Sequence, residues 1–251
     1  MDINKIYNED CLTTINNLEP NSVDLVITSP PYNYTPRKGG PADKGKYDVY
    51  RDWKTEKEYF DWTIEVFNGY DKIVKENRVV IYNFSYSIEN PSLPYTLVSK
   101  IVENTNWQIV DTILWKKSTS MPHPASYNRL NRIWEFVWVF ARKSEVKTFK
   151  MFKEVTSTSE KGQKYYQIVD NYLEAKNNDG PNDLNKATFS TDLVTKLIDI
   201  YGTPGDLVYD NFMGVGTTAL AAIEKKCNFL GSEISDKQCV LALKKIKSKL
   251  I

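Results

Sequence analysis

The sequence of 251 residues predicts an α/β protein with a doubly wound, mostly parallel sheet of seven strands. Apolar runs of strand length alternate with longer stretches in which apolar residues recur at helical spacing, as expected of βαβ units. A glycine-containing segment, Asn211 to Gly216, also stands between a strand-like run and a helical stretch. Such a turn is typical of the carboxyl edge of a parallel sheet.

Each element is predicted from its own residue pattern. The run from Val23 to Ile27 is largely apolar, which favours a buried strand. The segments 107–115 and 132–141 are rich in β-branched and aromatic residues with no helical stretch between them, so we expect an antiparallel pair at one edge. Strands are predicted near residues 3–7, 23–28, 78–84, 107–115, 132–141, 206–210 and 228–232. Helices are predicted near residues 11–18, 56–75, 91–104, 190–201, 217–226 and 236–249.

Two segments do not fit this alternation. Residues 33–55 form a connection rich in Gly, Pro and charged residues, long enough to favour a functional loop. Residues 142–184 are polar, basic and rich in asparagine, and we interpret them as an inserted subregion. The basic residues of both segments predict contact with phosphate groups. The alternative is that they are ordinary solvated surface side chains. These residues are Arg37, Lys38, Lys44 and Lys46 in the first segment, and Lys147, Lys150, Lys153, Lys161 and Lys164 in the second.

Composition limits the class of protein. Hydrophobic residues make up 41% of the chain and charged residues 26%, as in ordinary globular domains. We find no apolar run long enough to span a bilayer and no secretion signal at the N-terminus. Three cysteines and the single histidine, His123, are too few for a disulfide framework or a zinc site. We therefore expect a cytoplasmic protein that binds no metal.

The turn Thr-Ser-Pro-Pro-Tyr follows the run that ends at Ile27. A proline fixes φ near about −65° and lacks an N–H group, so this turn is rigid and rich in free carbonyls. The Ser29 hydroxyl and a proline carbonyl can accept both hydrogens of an exocyclic amine, and an aromatic ring can stack on the base that carries it. We therefore predict a catalytic site for a nucleobase amine at Ser29, Pro30, Pro31 and Tyr32.

The second motif is the loop that ends at Gly216, between the strand at 206–210 and the helix that begins at Thr217. Its backbone can approach a ligand beside the positive end of the helix dipole. Glu233, at the tip of the next strand, is placed to bind ribose hydroxyls. The motif predicts an adenine-nucleoside site and leaves a dinucleotide open. A phosphate-binding P-loop does not fit, because no lysine follows the second glycine.

These two motifs, in this order, resemble those of the S-adenosylmethionine-dependent amino-methyltransferases of DNA, and their order resembles the β class. In that class Ser-Pro-Pro-Tyr precedes an Asp-x-Phe-x-Gly-x-Gly-Thr-Thr loop. The resemblance begins at Asn8–Cys11 and includes the segments 115–117, 131–140 and 186–189. Three residues depart from the family pattern, namely Glu9, Ser190 and Asn211. It implies a Rossmann-like methyltransferase sheet in circularly permuted chain order, with the C-terminal helix beside the first strand.

The resemblance also assigns regions and roles. Residues 1–141 would form the catalytic half of one domain, residues 142–184 a target-recognition region and residues 185–251 the cofactor-binding half. S-adenosyl-L-methionine would be the cofactor and S-adenosyl-L-homocysteine the product. Asp10 would accept from the adenine amino group, and Glu233 would hold the ribose. The residues implied in cofactor binding are Asp10, Cys11, Thr28, Phe189, Asp210, Phe212, Gly214, Gly216, Thr217, Thr218 and Glu233.

The activity implied is site-specific methylation of a base flipped out of double-stranded DNA. In this family a serine before Pro-Pro-Tyr usually accompanies cytosine N4, so Ser29 favours cytosine over adenine N6. A non-catalytic, S-adenosylmethionine-responsive DNA-binding protein is an alternative from another class. A nicotinamide dehydrogenase is a third, although it leaves the double proline unexplained. The sequence leaves open a homodimer, a cognate restriction endonuclease in a restriction-modification system, and the recognition sequence.

Overall fold

The computed structural model of the protein describes residues 2–33, 49, 55–86, 90–121, 130–180, 184 and 188–250. The predicted phosphate-contacting residues Arg37, Lys38, Lys44 and Lys46 lie outside these residues, as does His123.

The described chain forms strands and helices close to the predicted positions. The strands are β1 (Lys5–Tyr7), β2 (Leu25–Thr28), β3 (Val80–Phe84), β4 (Trp107–Met121), β5 (Arg132–Arg142), β6 (Val155–Thr158), β7 (Lys164–Tyr166), β8 (Tyr172–Ala175), β9 (Leu207–Asp210) and β10 (Asn228–Ser232). The helices are α1 (Cys11–Asn17), α2 (Glu56–Ile73), α3 (Leu93–Asn104), α4 (Thr191–Tyr201), α5 (Thr217–Glu224) and α6 (Asp236–Leu250).

The main sheet has the order β1-β10-β9-β2-β3-β5-β4-β8. In the part of the sheet with the order β1-β10-β9-β2-β3, all neighbouring strands are parallel. β5 is antiparallel to both β3 and β4, and its pairing with β4 is the one predicted for the 107–115 and 132–141 segments. All seven predicted strands are present, which confirms the α/β fold class. The expected strand number was too low by one, because β8 extends the sheet parallel to β4.

The extra strand comes from the segment predicted to stand apart from the sheet. Within residues 142–184, β8 pairs with β4 and so belongs to the main sheet, whereas β6 and β7 form a separate antiparallel hairpin. The residues of the hairpin are solvent-exposed. The segment is therefore partly integrated into the sheet, because main-chain pairing with β4 satisfies the hydrogen-bonding groups of β8.

Helices cover both faces of the sheet, and alternate strand residues face opposite layers. In β5, Val137 and Val139 pack in the core with helices α4, α5 and α6, whereas Trp138 and Phe140 pack with α1, α2 and α3. The same alternation holds in β3, where Ile81 faces the first layer and Tyr82 the second. This arrangement is a doubly wound sheet with a core on each face.

The strand order places the end of the chain beside its beginning. β9 and β10 lie between β1 and β2, and α6, which follows β10, contacts β1. The C-terminal helix therefore lies next to the first strand, as the permuted order implied. At the amino ends of β2 and β9, Arg78 donates to Asp24 Oδ1 at 3.2 Å and to Asp206 Oδ1 at 2.9 Å. These two buried ion pairs of Arg78 join the amino ends of the two central strands.

Candidate active site

The two sequence motifs meet at the carboxyl edge of the sheet. β2, which leads into the Ser-Pro-Pro-Tyr turn, pairs in parallel with β9, which leads into the glycine loop. Thr28 Oγ1 donates a hydrogen bond of 2.7 Å to Asp210 Oδ1, and both side chains are buried. The catalytic and cofactor motifs, about 180 residues apart in the chain, are thus joined by a direct side-chain contact.

Asp210 is the centre of this junction. Its Oδ2 accepts from Thr218 Oγ1 at 2.6 Å, and its Oδ1 also accepts from the Phe212 amide at 3.0 Å. Burial raises the pKa of Asp210 from its ordinary value of 3.8 to about 6, although these hydrogen bonds act in the opposite direction. The buried Asp210 side chain is therefore held by three donors, which are Thr28 at the end of β2, Phe212 in the glycine loop and Thr218 in α5.

Two glycines allow the close packing of the cofactor loop. Gly216 precedes α5 with φ of +87°, and a Cβ there would lie 2.9 Å from Ala242 Cβ on α6. At Gly231, in β10, a Cβ would lie 2.4 Å from the Asp210 backbone oxygen. Only glycine permits both the left-handed conformation at the first position and the close backbone approach at the second.

Glu233 holds the glycine loop through its side chain. Glu233 Oε2 accepts from the Gly214 amide and Oε1 from the Ser235 amide, each at 2.8 Å. The Glu233 amide donates to the Tyr7 carbonyl of β1 at 3.0 Å. These bonds hold the Glu233 carboxylate beside the glycine loop. The ribose contact itself stays a prediction.

The other implied cofactor residues lie around the same edge. Asp10 is exposed and caps α1, since its Oδ1 accepts from the Leu12 amide at 2.9 Å. Cys11 is buried, and burial raises the pKa of its thiol to about 12, so it is no nucleophile. Phe189 and Met213 belong to one buried apolar cluster. These positions are compatible with the predicted site, and their ligand contacts stay predictions.

The Ser-Pro-Pro-Tyr turn is fixed from below by polar groups. The Tyr59 hydroxyl, on α2, donates to the Pro31 carbonyl at 2.7 Å. Ser29, which is half-buried, donates to Asn83 Oδ1 at 3.2 Å. Tyr32 is only 6% exposed, and its ring centroid lies 4.6 Å from that of Phe84. In this conformation the Tyr32 ring offers little surface to a base, so its stacking role stays a prediction.

Three residues beneath the turn were not predicted from the sequence pattern as site residues. Asn83 on β3 lies between Ser29 and Glu135 on β5, and Glu135 forms an ion pair with Lys117 on β4. Asn83 and Glu135 each stand among apolar neighbours, whereas Lys117 follows Lys116 in a polar part of β4. The register of β3 with β5 and of β5 with β4 brings the three together. A polar residue among apolar neighbours was the signal that the sequence offered for Asn83 and Glu135.

The predicted DNA-contacting lysines that the structure describes lie on and around the β6–β7 hairpin. Lys153 is half-buried, and the others are exposed. Tyr165 and Tyr166 in β7 are also exposed, so aromatic and basic groups share this surface. The exposed lysines are Lys147, Lys150, Lys161 and Lys164.

The described part of the chain offers neither a cluster of metal ligands nor a membrane-spanning helix. Within it, no group of three or more His, Cys, Asp or Glu side chains is placed to hold a metal ion. Among the helices described there, none is long and apolar enough to cross a membrane.

Comparison with known proteins decides the family. The model of the N6/N4 methyltransferase family, described as DNA methylase, matches residues 23–244. The chain belongs to this family. The match covers both motifs and most of the strands that hold them.

Individual members of the DNA methylase family show how far the likeness extends. The type II methyltransferase M.BglII of Bacillus subtilis is 24% identical over 92% of this chain, which spans 66% of that relative. The solved structure of the PvuII DNA methyltransferase, named as cytosine-N4-specific, matches 99% of this chain and 92% of its own, with a TM-score of 0.73 at 19% identity. The M1.HpyAVI–SAM complex matches 96% of this chain and 98% of its own, with a TM-score of 0.61 at 24% identity. The structural matches establish the shared methyltransferase fold.

The three departures of this chain from the family pattern are accommodated by hydrogen bonds. Glu9 accepts from Thr14 Oγ1 at 2.7 Å, and Asn211 Oδ1 accepts from the buried Tyr70 hydroxyl at 2.5 Å. Ser190 caps α4, with its Oγ accepting from the Leu193 amide at 3.3 Å. Each substitute therefore ties its loop to a neighbouring element by a side-chain hydrogen bond.

Proposed function

We propose that this protein is a site-specific DNA methyltransferase that transfers a methyl group from S-adenosylmethionine to the exocyclic amine of a flipped-out base, with cytosine N4 favoured. The observation that carries the proposal is the hydrogen bond from Thr28 to Asp210. It sets a rigid amine-accepting turn directly beside a glycine loop suited to a nucleoside, and an enzyme that joins these two substrates requires that arrangement.

The residues of the glycine loop fit the cofactor. The structure gives the N-terminus of α5 no side-chain cap among the described residues, because Gly216 stands at that position. Its positive end is thus suited to a carboxylate such as that of a methionine moiety. Glu233 supplies an acceptor for ribose hydroxyls, and Met213 and Phe189 supply an apolar surface. When bound, S-adenosylmethionine supplies an electrophilic methyl group on a sulfonium.

Ser29 and Pro30 would orient the amine. The Pro30 carbonyl is the acceptor that the family resemblance assigns to the turn, and the hydrogen bond from Tyr59 to the neighbouring Pro31 carbonyl holds the turn in place. With the Ser29 oxygen as second acceptor, both amine hydrogens are bound. The nitrogen would be drawn toward tetrahedral geometry with its lone pair available to the methyl group, and one amine proton would be lost to solvent after transfer. Positioning of this kind can supply much of the rate enhancement.

The target base is the finer part of the proposal. The base must leave the duplex, which costs a few kcal/mol, and stacking on Tyr32 would recover about 1–3 kcal/mol. Because Tyr32 is nearly covered in this conformation, stacking requires that the turn or a neighbouring segment shift when DNA binds. A serine at position 29 favours cytosine N4, with adenine N6 as the alternative.

Transfer of a labelled methyl group to duplex DNA tests the proposed activity. Digestion of the product to nucleosides then identifies the modified base. Ser29→Ala should lower the single-turnover rate about 100-fold, by analogy with the loss of one oriented hydrogen bond at other catalytic sites. Ser248→Ala, at an exposed serine on α6, is the matched control. A wild-type chain that binds S-adenosylmethionine and DNA without transferring methyl would instead support the non-catalytic alternative.

The salt dependence of DNA binding tests the proposed footprint. If Lys161 and Lys164 contact phosphates, each lysine-to-alanine change should reduce the slope of log K against log salt by about 0.9. Lys249→Ala on α6, away from the hairpin, is the control. An unchanged slope for both hairpin variants would place the DNA surface elsewhere.

A further inference from the structure

A largely buried ion pair lies directly beneath the Ser-Pro-Pro-Tyr turn. The Glu135 and Lys117 side chains are 12% and 16% exposed, and they contact each other across strands β5 and β4. Lys117 Nζ also lies 5.0 Å from the centre of the Trp115 ring. Burying such a pair costs desolvation that its attraction often fails to recover. Stability alone is therefore a weak reason for its presence.

Glu135 is connected to Ser29 through hydrogen bonds. Glu135 Oε2 accepts from the Tyr32 hydroxyl at 3.2 Å and from Asn83 Nδ2 at 3.3 Å. Asn83 Oδ1 in turn accepts from Ser29 Oγ at 3.2 Å. The contacts therefore run from the largely buried Glu135 carboxylate, through the Asn83 amide, to the Ser29 hydroxyl, which would contact the proposed substrate.

The partners of Asn83 fix the orientation of its amide. Asn83 Nδ2 lies 3.0 Å from the Phe136 carbonyl, and both this carbonyl and the Glu135 carboxylate can only accept. The amino group must therefore face β5, and the amide oxygen must face Ser29. Rotating the amide by half a turn would set oxygen against oxygen at both contacts.

This orientation determines the role of the Ser29 hydroxyl. Its hydrogen is donated to Asn83 Oδ1, so its lone pairs remain as acceptors. The Tyr32 hydroxyl lies 3.1 Å from both Ser29 Oγ and Asn83 Oδ1, but its bond to the Glu135 carboxylate is charge-assisted and therefore the stronger one. A negative charge at the far end also polarises the Asn83 amide and strengthens the Ser29 oxygen as an acceptor.

We infer that Glu135, paired with Lys117, is a positioning residue that acts through Asn83 to keep Ser29 an acceptor of the amine hydrogens. The inference rests on the proposed methyl transfer and names residues outside both sequence motifs. Glu135 does not touch the substrate in this scheme. Its effect should appear in the rate of transfer and not in the affinity for either substrate.

The test is a double-mutant cycle in single-turnover methyl transfer. Glu135→Gln, which preserves shape and removes the charge, should lower the rate about 10- to 100-fold, the usual effect of a residue that orients a reacting group. The affinities for S-adenosylmethionine and DNA should stay unchanged. In a Ser29→Ala background the same change should have little further effect, because the residue through which Glu135 acts is gone.

Glu145→Gln is the matched control. Glu145 is paired with Arg142, and its side chain is 12% exposed, as is that of Glu135, but it lies outside the network. This control should keep the wild-type rate. If urea denaturation shows that the Glu135→Gln variant is unfolded even without urea, Lys117→Met replaces it in the same cycle, with the same expected result.

The outcomes separate the two proposals. A wild-type chain that transfers no methyl contradicts the proposed function. If the wild-type chain does transfer methyl, two results overturn the positioning role alone. One is a Glu135→Gln variant that is as fast as Glu145→Gln, and the other is additive effects of the Ser29 and Glu135 changes. A uniform loss of affinity would mark Glu135 as a structural residue, which also overturns it.

Discussion

Replacing Thr28 with valine should weaken the junction between the two motifs and leave its shape almost unchanged. Thr28 Oγ1 donates to Asp210 Oδ1 at 2.7 Å between buried side chains. Valine is close to threonine in shape and suits a strand, so the change removes mainly one hydrogen bond to a carboxylate. Such a bond contributes about 1.5–3 kcal/mol, and we expect the free energy of unfolding to fall by about 2 kcal/mol at about pH 8.

The loss should be smaller in acid. Because burial raises the pKa of Asp210 to about 6, the folded protein carries a neutral carboxyl group at about pH 5. A hydrogen bond between neutral groups contributes only about 0.5–1.5 kcal/mol. Urea denaturation of wild type and Thr28→Val at both pH values measures the change in the difference between them.

Thr195→Val provides the matched control for this measurement. Thr195 is also buried, but its hydroxyl donates to the uncharged backbone carbonyl of Asp192 at 3.1 Å. Its replacement should cost less than that of Thr28 at about pH 8 and should show no dependence on pH. Equal costs for the two variants, or a cost of Thr28→Val that is the same at both pH values, would refute a charged partner at Asp210.

Three further predictions concern the same edge of the sheet. Because the pKa of Asp210 is raised from 3.8 to about 6, the folded chain retains a proton that the unfolded chain has released, so the free energy of unfolding should fall by about 2 kcal/mol as pH rises from about 4 to about 6. Asp210→Asn should remove this fall, and urea titrations with the same pH slope for both proteins would contradict the assignment. Gly216→Ala should cost about 2 kcal/mol or more, since a left-handed conformation costs about 1–2 kcal/mol and the new Cβ would lie 2.9 Å from Ala242 Cβ; Gly205→Ala, with φ of +93° and nothing within 4 Å of its Cβ, carries the conformational cost alone and should be milder in thermal denaturation. Glu233→Ala should weaken S-adenosylmethionine binding in calorimetry, because two backbone amides of the loop and the following turn lose their acceptor; an unchanged affinity would remove Glu233 from the cofactor site.

The main fold could be predicted because most elements have strong local patterns. The antiparallel pairing of β4 with β5 was predictable from two long β-rich runs without a helix between them. β8 was missed because its four residues lie in a polar segment, and their strand conformation depends on pairing with β4. The β6–β7 hairpin was missed for a related reason, since its strands are exposed and have no buried face to produce an alternating pattern.

The site was predictable where its residues are contiguous. Ser29 and Asp210 lie in motifs whose composition points to a ligand, and parallel strands bring their ends together. Asn83, Glu135 and Lys117 carry no such local signal. Their proximity depends on the register of three strands, which isolated positions in the sequence do not specify.

The sheet order has a consequence for how the protein is made. β1 leaves the ribosome first, yet its partner in the sheet, β10, is more than 200 residues downstream. β9 and β10 must also settle between β1 and β2 before the centre of the sheet is continuous. Contacts so distant in sequence slow folding, and nascent chains that still lack β9 and β10 expose unpaired strand edges. Newly synthesised molecules should therefore depend on chaperones until the last helix has emerged.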